Sequence, residues 1–324
     1  MAGELFSKRL LIVSGKGGTG KSTVTAALAL LAKRAGKRVL VVEVDTVPTV
    51  ARLLGGDEVT GYDPIEISPG ISVMSINGAE ALEDYLRLML KSRRLVKRIV
   101  ESRIYRYFVA AAPGLKELMC IGKLWDLEKE RDGTGHPLYD IILVDMPATG
   151  HSFSHLRMPR TAVDTLKIGF AKEEAAKILR LLEDPEKTSF LIVTLAEEMP
   201  VNETIELRRM VTETLHFHVG CIFVNGIYPD LFQEKEMGHW EILPAEVAGE
   251  QGDSVLGPLV ASAVSISKRR AMNRHYVDLM ASNLEEPLVE IPFIFAHAFD
   301  VEAIETITEI LAERIGGSRG GTGK

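Results

Sequence analysis

Short apolar runs, nearly free of charge, alternate along the chain with stretches whose apolar residues recur at helical spacing. The runs at 10–14, 38–44, 141–144, 190–193, 221–224 and 288–291 are too short for buried helices and rich in Val and Ile. They predict strands of a sheet covered on both faces. Between them the pattern changes period. A helix is predicted over 21–35, with Gly36 as its C-terminal cap. Others are predicted around Ala175, Ile178, Leu179 and Leu182, and around Ile304, Ile307 and Leu311. Strands alternating with helices imply right-handed crossovers and an α/β fold, a doubly wound, mostly parallel sheet.

The stretch 80–130 breaks this rhythm, being helical in pattern with no strand. It predicts a helical insertion subdomain on one edge of the sheet, within a single domain spanning 1–315. The Gly-rich segment 316–324 predicts a disordered tail. The insertion carries Lys91, Arg93, Arg94, Lys97, Arg98, Arg103 and Arg106 with Leu90, Leu95, Ile99 and Ile104 between them. This is either a solvated basic face or a docking face for acidic headgroups or a partner.

Composition narrows the class. Lys and Arg number 38 against 45 Asp and Glu, a formal net charge of −7, which argues against a general nucleic-acid binder. No uncharged apolar run approaches membrane-spanning length, and a strand begins at Leu10 with no signal-peptide pattern before it. Cys120 and Cys221 are the only cysteines and form no CxxC pair. A cytoplasmic protein, peripheral to a membrane at most, is expected.

The chemistry is concentrated after the first strand. Gly15, Lys16, Gly17, Gly18, Thr19, Gly20, Lys21, Ser22 and Thr23 satisfy G-x-x-x-x-G-K-[ST] between a strand and a helix. Glycines let backbone amides turn inward around phosphate oxygens, and the helix N-terminus adds positive partial charge. Lys21 is expected on the β- and γ-phosphates and the Ser22 hydroxyl on Mg²⁺, so a P-loop NTPase using ATP and Mg²⁺ is expected. Asp45 and Asp145 each end a strand, where a carboxylate faces the ligand crevice. Asp45 suits a group that orients or deprotonates the attacking water, is also a candidate for the Mg²⁺ site, partly through water, or else is a turn cap. Asp145 suits an acid that holds Mg²⁺, partly through water.

The stretch from Asp145 to Pro159, D-M-P-A-T-G-H-S-F-S-H-L-R-M-P, resembles the second switch of the arsenite-pump and tail-anchored-protein-targeting ATPase family (ArsA/GET type). The loop form G-K-G-G-x-G-K-[ST] resembles the deviant Walker A of the wider class of dimeric ATPases that includes MinD-like and nitrogenase-iron-protein-like members. Further resemblances lie at 112–117, at 184–204, at Phe223-Val224-Asn225 and at Ile291-Pro292-Phe293, so the likeness covers about residues 9–314. The resemblance implies a dimer in which Lys16 reaches the facing subunit's nucleotide. It places Asn225 on the adenine edge and Pro292 beside the base. From the residues alone, Asn225 is equally a turn residue and Pro292 a strand end. It further implies a homodimer, or a heterodimer with a paralogous ATPase, that captures or releases a membrane-protein client or partner.

The chain also departs from the family. The first switch reads Asp45-Thr46-Val47-Pro48-Thr49 instead of D-P-A-H-S, and the paired zinc cysteines and the arsenite cysteines are missing. A metal-bridged dimer and arsenite transport are therefore not expected, and no Met-rich client helix follows Pro159. The altered switch raises an alternative, a nucleotide-bound scaffold that hydrolyses little. A MinD-like membrane-cycling ATPase is disfavoured by the Gly-rich C-terminus. Of the histidines, His151 falls in the second switch and is a candidate link to phosphate state. His155 and His297 read as ordinary surface or core residues, and no metal-ligand constellation is apparent.

Overall fold

A computed structural model describes residues 2–56, 61–90, 92–112, 114–230, 256–296 and 299–316. Lys91, Pro113, His297 and the tail from 317 on lie outside the described residues. The six expected strands are present as β1 (Leu10–Ser14), β2 (Val39–Val44), β5 (Ile141–Asp145), β6 (Thr188–Leu195), β7 (Val219–Ile227) and β8 (Leu288–Pro292). Two more, β3 (Ile65–Ser68) and β4 (Ile71–Ile76), extend the sheet. The order is β3-β4-β2-β5-β1-β6-β7-β8, parallel throughout except for the β3–β4 pair. In β4, Ser72 and Ser75 interrupt the apolar run and its burial is uneven, which hides the strand from a search for continuous apolar segments.

Side chains alternate across each strand, so the sheet divides two cores. Leu10 and Ile12 of β1 point to one side, and Leu11 and Val13 to the other. The second side is covered by α2 (Lys21–Arg34), α3 (Val50–Leu53) and the C-terminal helix α12 (Val301–Gly316), with the short α1 (Ala2–Leu5) beside it.

The first side is covered by α7 (Leu115–Lys129), α8 (Thr149–Thr165), α9 (Phe170–Glu183), α10 (Glu198–Arg209) and the long α11 (Leu256–Asn283). The helical segment comprises α4 (Gly78–Leu90), α5 (Arg93–Glu101), α6 (Arg103–Ala111) and α7. It is the crossover from β4 to β5, and it lies on a face of the sheet instead of at an edge. Cys120, Ile121, Leu124 and Leu127 of α7 are buried in the first core, which draws the helix inward. Helices α5 and α6 reach outward, each started by a serine: Ser92 accepts from the Leu95 amide and Ser102 from the Tyr105 amide.

Candidate nucleotide site and switches

The phosphate loop hangs from β1, between β5 and β6, at the carboxyl ends of the strands, where open α/β sheets bind ligands. Its backbone requires glycine at particular points. Gly15 has φ 152° and packs so closely that a Cβ there would strike the Val193 carbonyl. Gly20 has φ 92°, and a Cβ would strike the Asn225 amide. The loop closes on the Lys16 carbonyl, which accepts from the Thr19 hydroxyl at 2.9 Å and the Lys21 ammonium at 3.1 Å. Burial lowers the Lys21 pKa, partly offset by the charge of Asp145.

Ser22 donates to Asp145 Oδ2 at 2.6 Å, joining the first turn of α2 to the end of β5. Asp145 is 1% exposed, and its other oxygen, Oδ1, has no hydrogen-bond partner. Burial pushes its carboxyl up to about 7; the Ser22 bond opposes this, Glu43 reinforces it, and Lys21 opposes it. Glu43 stands directly across the ladder from Asp145 and is itself fully buried. A hydroxyl, a buried carboxylate with a free oxygen and a second acid beside it suit a hard divalent cation. The donor set therefore fits Mg²⁺ at Ser22 and Asp145.

Glu43, which no sequence motif marks, also has a structural role. One oxygen accepts from the Thr49 and Val50 amides at 2.6 and 3.0 Å, pinning the first switch to β2. Asp45 follows with a left-handed backbone, φ 45°, uncommon outside glycine. His155 Nε2 lies 2.8 Å from Asp45 Oδ2, and Cys120 Sγ 3.8 Å from the same oxygen. His155 Nδ1 bonds to the His151 carbonyl at 2.8 Å. The His155 bond holds the Asp45 carboxyl below its usual range despite burial. Burial opposes the charged imidazole, but the bond to Asp45 and the carbonyl outweigh it and raise its pKa.

His155, read from the sequence as ordinary, thus joins the first switch to the second. The available signal was its spacing: His155, Ser152, Leu156 and Pro159 share the buried face of α8. The chain enters α8 directly at Thr149, and His151 is exposed. Ser152 contacts the Ser14 hydroxyl at 2.9 Å, tying α8 to the end of β1.

The remaining expected positions fall around the same crevice. Lys16 forms an ion pair at 2.6 Å with Glu203 of α10. Asn225, at the end of β7, donates to the Thr19 carbonyl at 3.0 Å and accepts from the Gly226 amide. Pro292 pairs with Ile227 in register at the end of β8. The next residue, Phe293, stacks on Tyr228 with ring centroids 4.8 Å apart.

A phosphate loop on the central strand of a mostly parallel sheet, with a Ser–Asp pair at its mouth, defines a P-loop NTPase. Residues 8–173 and 168–248 match the model of the anion-transporting ATPase family, and the chain belongs to that family. It is 26% identical over 333 residues to ATPase BagA of Mycobacterium tuberculosis, covering 96% of this chain and 94% of that one. It is 24% identical over 260 residues to ATPase ASNA1 homolog 1 of Paramecium tetraurelia, covering 68% and 75%. Among the described residues, no helix is long and apolar enough to cross a membrane.

Proposed function

We propose that this chain is a Mg²⁺-dependent ATP-hydrolysing switch that closes as a dimer and couples nucleotide state to the capture or release of a partner. The observation that carries the reading is the Ser22–Asp145 contact of 2.6 Å beside the phosphate loop, with a buried Asp145 oxygen left unpaired. When bound, MgATP supplies the phosphoanhydride and a cation that draws charge from its oxygens. Gly15 to Thr23 cradle the phosphates, Lys21 places positive charge at the β- and γ-positions, and Ser22 with Asp145 holds the metal. Asn225 and Pro292 flank the base. Asp45, which also faces the metal through water, orients the attacking water once released from His155. Lys16 leaves Glu203 and supplies charge to the facing subunit, as an arginine finger does.

The partner is a second copy, a paralogous ATPase or a membrane-protein client. Its docking face is the helical segment, where Ile104 and Tyr107 stand exposed beside Arg93, Arg94, Lys97, Arg98 and Arg103. This face also suits a location peripheral to a membrane.

Steady-state phosphate release with ATP and Mg²⁺ tests the reading. Lys21→Ala should lower turnover about 10³-fold or more, and Lys16→Ala by a comparable order. Full turnover in Lys16→Ala would show that the lysine does not act across a dimer. One observation favours the scaffold alternative: Asp45 is engaged by His155, and the first switch is pinned by Glu43. Retention of intact ATP by the wild-type protein, with no phosphate released, would select that reading.

A further inference from the structure

Asp45, Cys120 and His155 come from three separate elements, the end of β2, α7 and α8, and their ligand-type atoms lie within 4.8 Å of one another. The trio is unlike a chance surface cluster. Cys120 is fully buried and His155 is 4% exposed, while the Asp45 side chain is 34% exposed and leaves a way in from solvent. The imidazole is fixed by a bond to a backbone carbonyl, which can only accept, so Nδ1 carries the hydrogen. In the neutral ring this leaves the Nε2 lone pair facing Asp45 Oδ2 at 2.8 Å, two acceptors in contact. Only a positive centre at that point, a proton or a metal ion, makes the arrangement favourable. A histidine whose far nitrogen donates to a carbonyl is also the usual posture of a metal ligand.

We propose that Asp45 Oδ, Cys120 Sγ and His155 Nε2 form a site for a borderline divalent cation of the zinc or cobalt kind, distinct from the Mg²⁺ position at Ser22 and Asp145. One carboxylate, one thiolate and one neutral imidazole cancel the charge of a divalent ion, so the loaded site is neutral, as partial burial demands. Burial and the neighbouring Asp45 charge keep the Cys120 thiol protonated without a cation. Binding therefore displaces two protons to solvent, the thiol proton and the one between His155 Nε2 and Asp45, as the metal–sulfur and metal–nitrogen bonds form. Ligand atoms of a four-coordinate zinc, at about 2.0–2.3 Å from the ion, stand roughly 3.3–3.8 Å apart. The Cys120–Asp45 spacing of 3.8 Å fits, and the Asp45 carboxylate needs to withdraw from His155 by only ~0.5 Å. Three protein ligands leave the fourth position open on the exposed side of Asp45. The ion would also take Asp45 from the reacting water and slow turnover; that consequence rests on the role proposed for Asp45, whereas the site itself does not.

The test is titration of the reduced, metal-free, full-length protein with Co²⁺ in the absence of nucleotide. One equivalent should produce near-ultraviolet thiolate-to-cobalt absorption and the intense visible bands of a four-coordinate ion, both abolished by Zn²⁺. Cys120→Ser should remove the near-ultraviolet band, His155→Gln should weaken binding about tenfold or more, and Cys221→Ser should change neither. Far-ultraviolet circular dichroism confirms that each variant is folded. Absence of the band in the wild type, its survival in Cys120→Ser, or undiminished affinity in His155→Gln would overturn the proposal. Because no nucleotide is present, failure here leaves the ATPase reading standing, and failure of ATP turnover leaves this site standing.

Discussion

Asp145 shows how a single buried side chain links the fold to the proposed metal site. Its pKa of about 7 in the folded chain lies above the ordinary carboxylate value in the unfolded one, so folding favours the protonated form. In the metal-free protein its contribution is most favourable below about pH 4, falls as pH rises toward 7, and is constant beyond. Asp145→Asn should therefore melt a few degrees above wild type at pH 8 without magnesium, with a smaller gap at pH 5. If Asp145 holds Mg²⁺ as proposed, the variant should also gain less stability than wild type from added Mg²⁺ and nucleotide. A gap that widened toward acid would contradict the burial argument.

The loop glycines differ in the same physical terms. Gly15→Ala drives a methyl into the Val193 backbone and should cost about 3 kcal/mol or more. Gly18→Ala meets nothing within 4 Å and bears only the left-handed strain at φ 84°, about 1 kcal/mol. Urea unfolding of the two variants separates them.

At the scale of elements, the site is held by contacts between segments far apart in sequence. Helix α8 touches β1 through Ser152 and the first switch through His155. Pro159 lies inside that helix and cannot donate back to the His155 carbonyl, so the ladder loses a rung beside the histidine. Helix α10 holds Lys16 through Glu203, with both side chains partly exposed at 28% and 36%. An ion pair this exposed is worth roughly 0–1 kcal/mol, so its release is an inexpensive step. If the proposed dimer forms, Glu203→Gln should strengthen its ATP-dependent self-association by no more than about fivefold, read by light scattering across a concentration series. A larger gain would mean that Glu203 restrains more than the lysine.

Across the whole molecule, the sheet and its two cores set what can move. Helix α7 contributes Leu124, fully buried, to the core against the sheet. Leu124→Ala should cost about 2–5 kcal/mol and lower hydrogen-exchange protection in β1 and β5 as well as in α7, because one core serves both. Protection lost from α7 alone would make the helical segment an independent unit. Helices α5 and α6 concentrate six basic residues and one acid between 93 and 106 in a chain of net charge −7. Co-sedimentation with vesicles containing phosphatidylglycerol should exceed that with neutral vesicles and fall with added salt.

The sequence by itself determined the elements whose signal is local. The phosphate loop needs glycines and a lysine at fixed spacing, buried strands need continuous apolar runs, and a helix starts where its cap allows. Asp45 and Asp145 were legible because each closes such a run. Strands β3 and β4 were not, since β3 is a half-exposed edge strand and β4, paired between β3 and β2, carries serines that break its apolar run. Only the tertiary structure decided the pairings of Asp45 with His155, Lys16 with Glu203 and Asn225 with Thr19, separated by 110, 187 and 206 positions. A hydrogen bond depends on where two helices and a sheet come to rest, and no spacing along the chain records that.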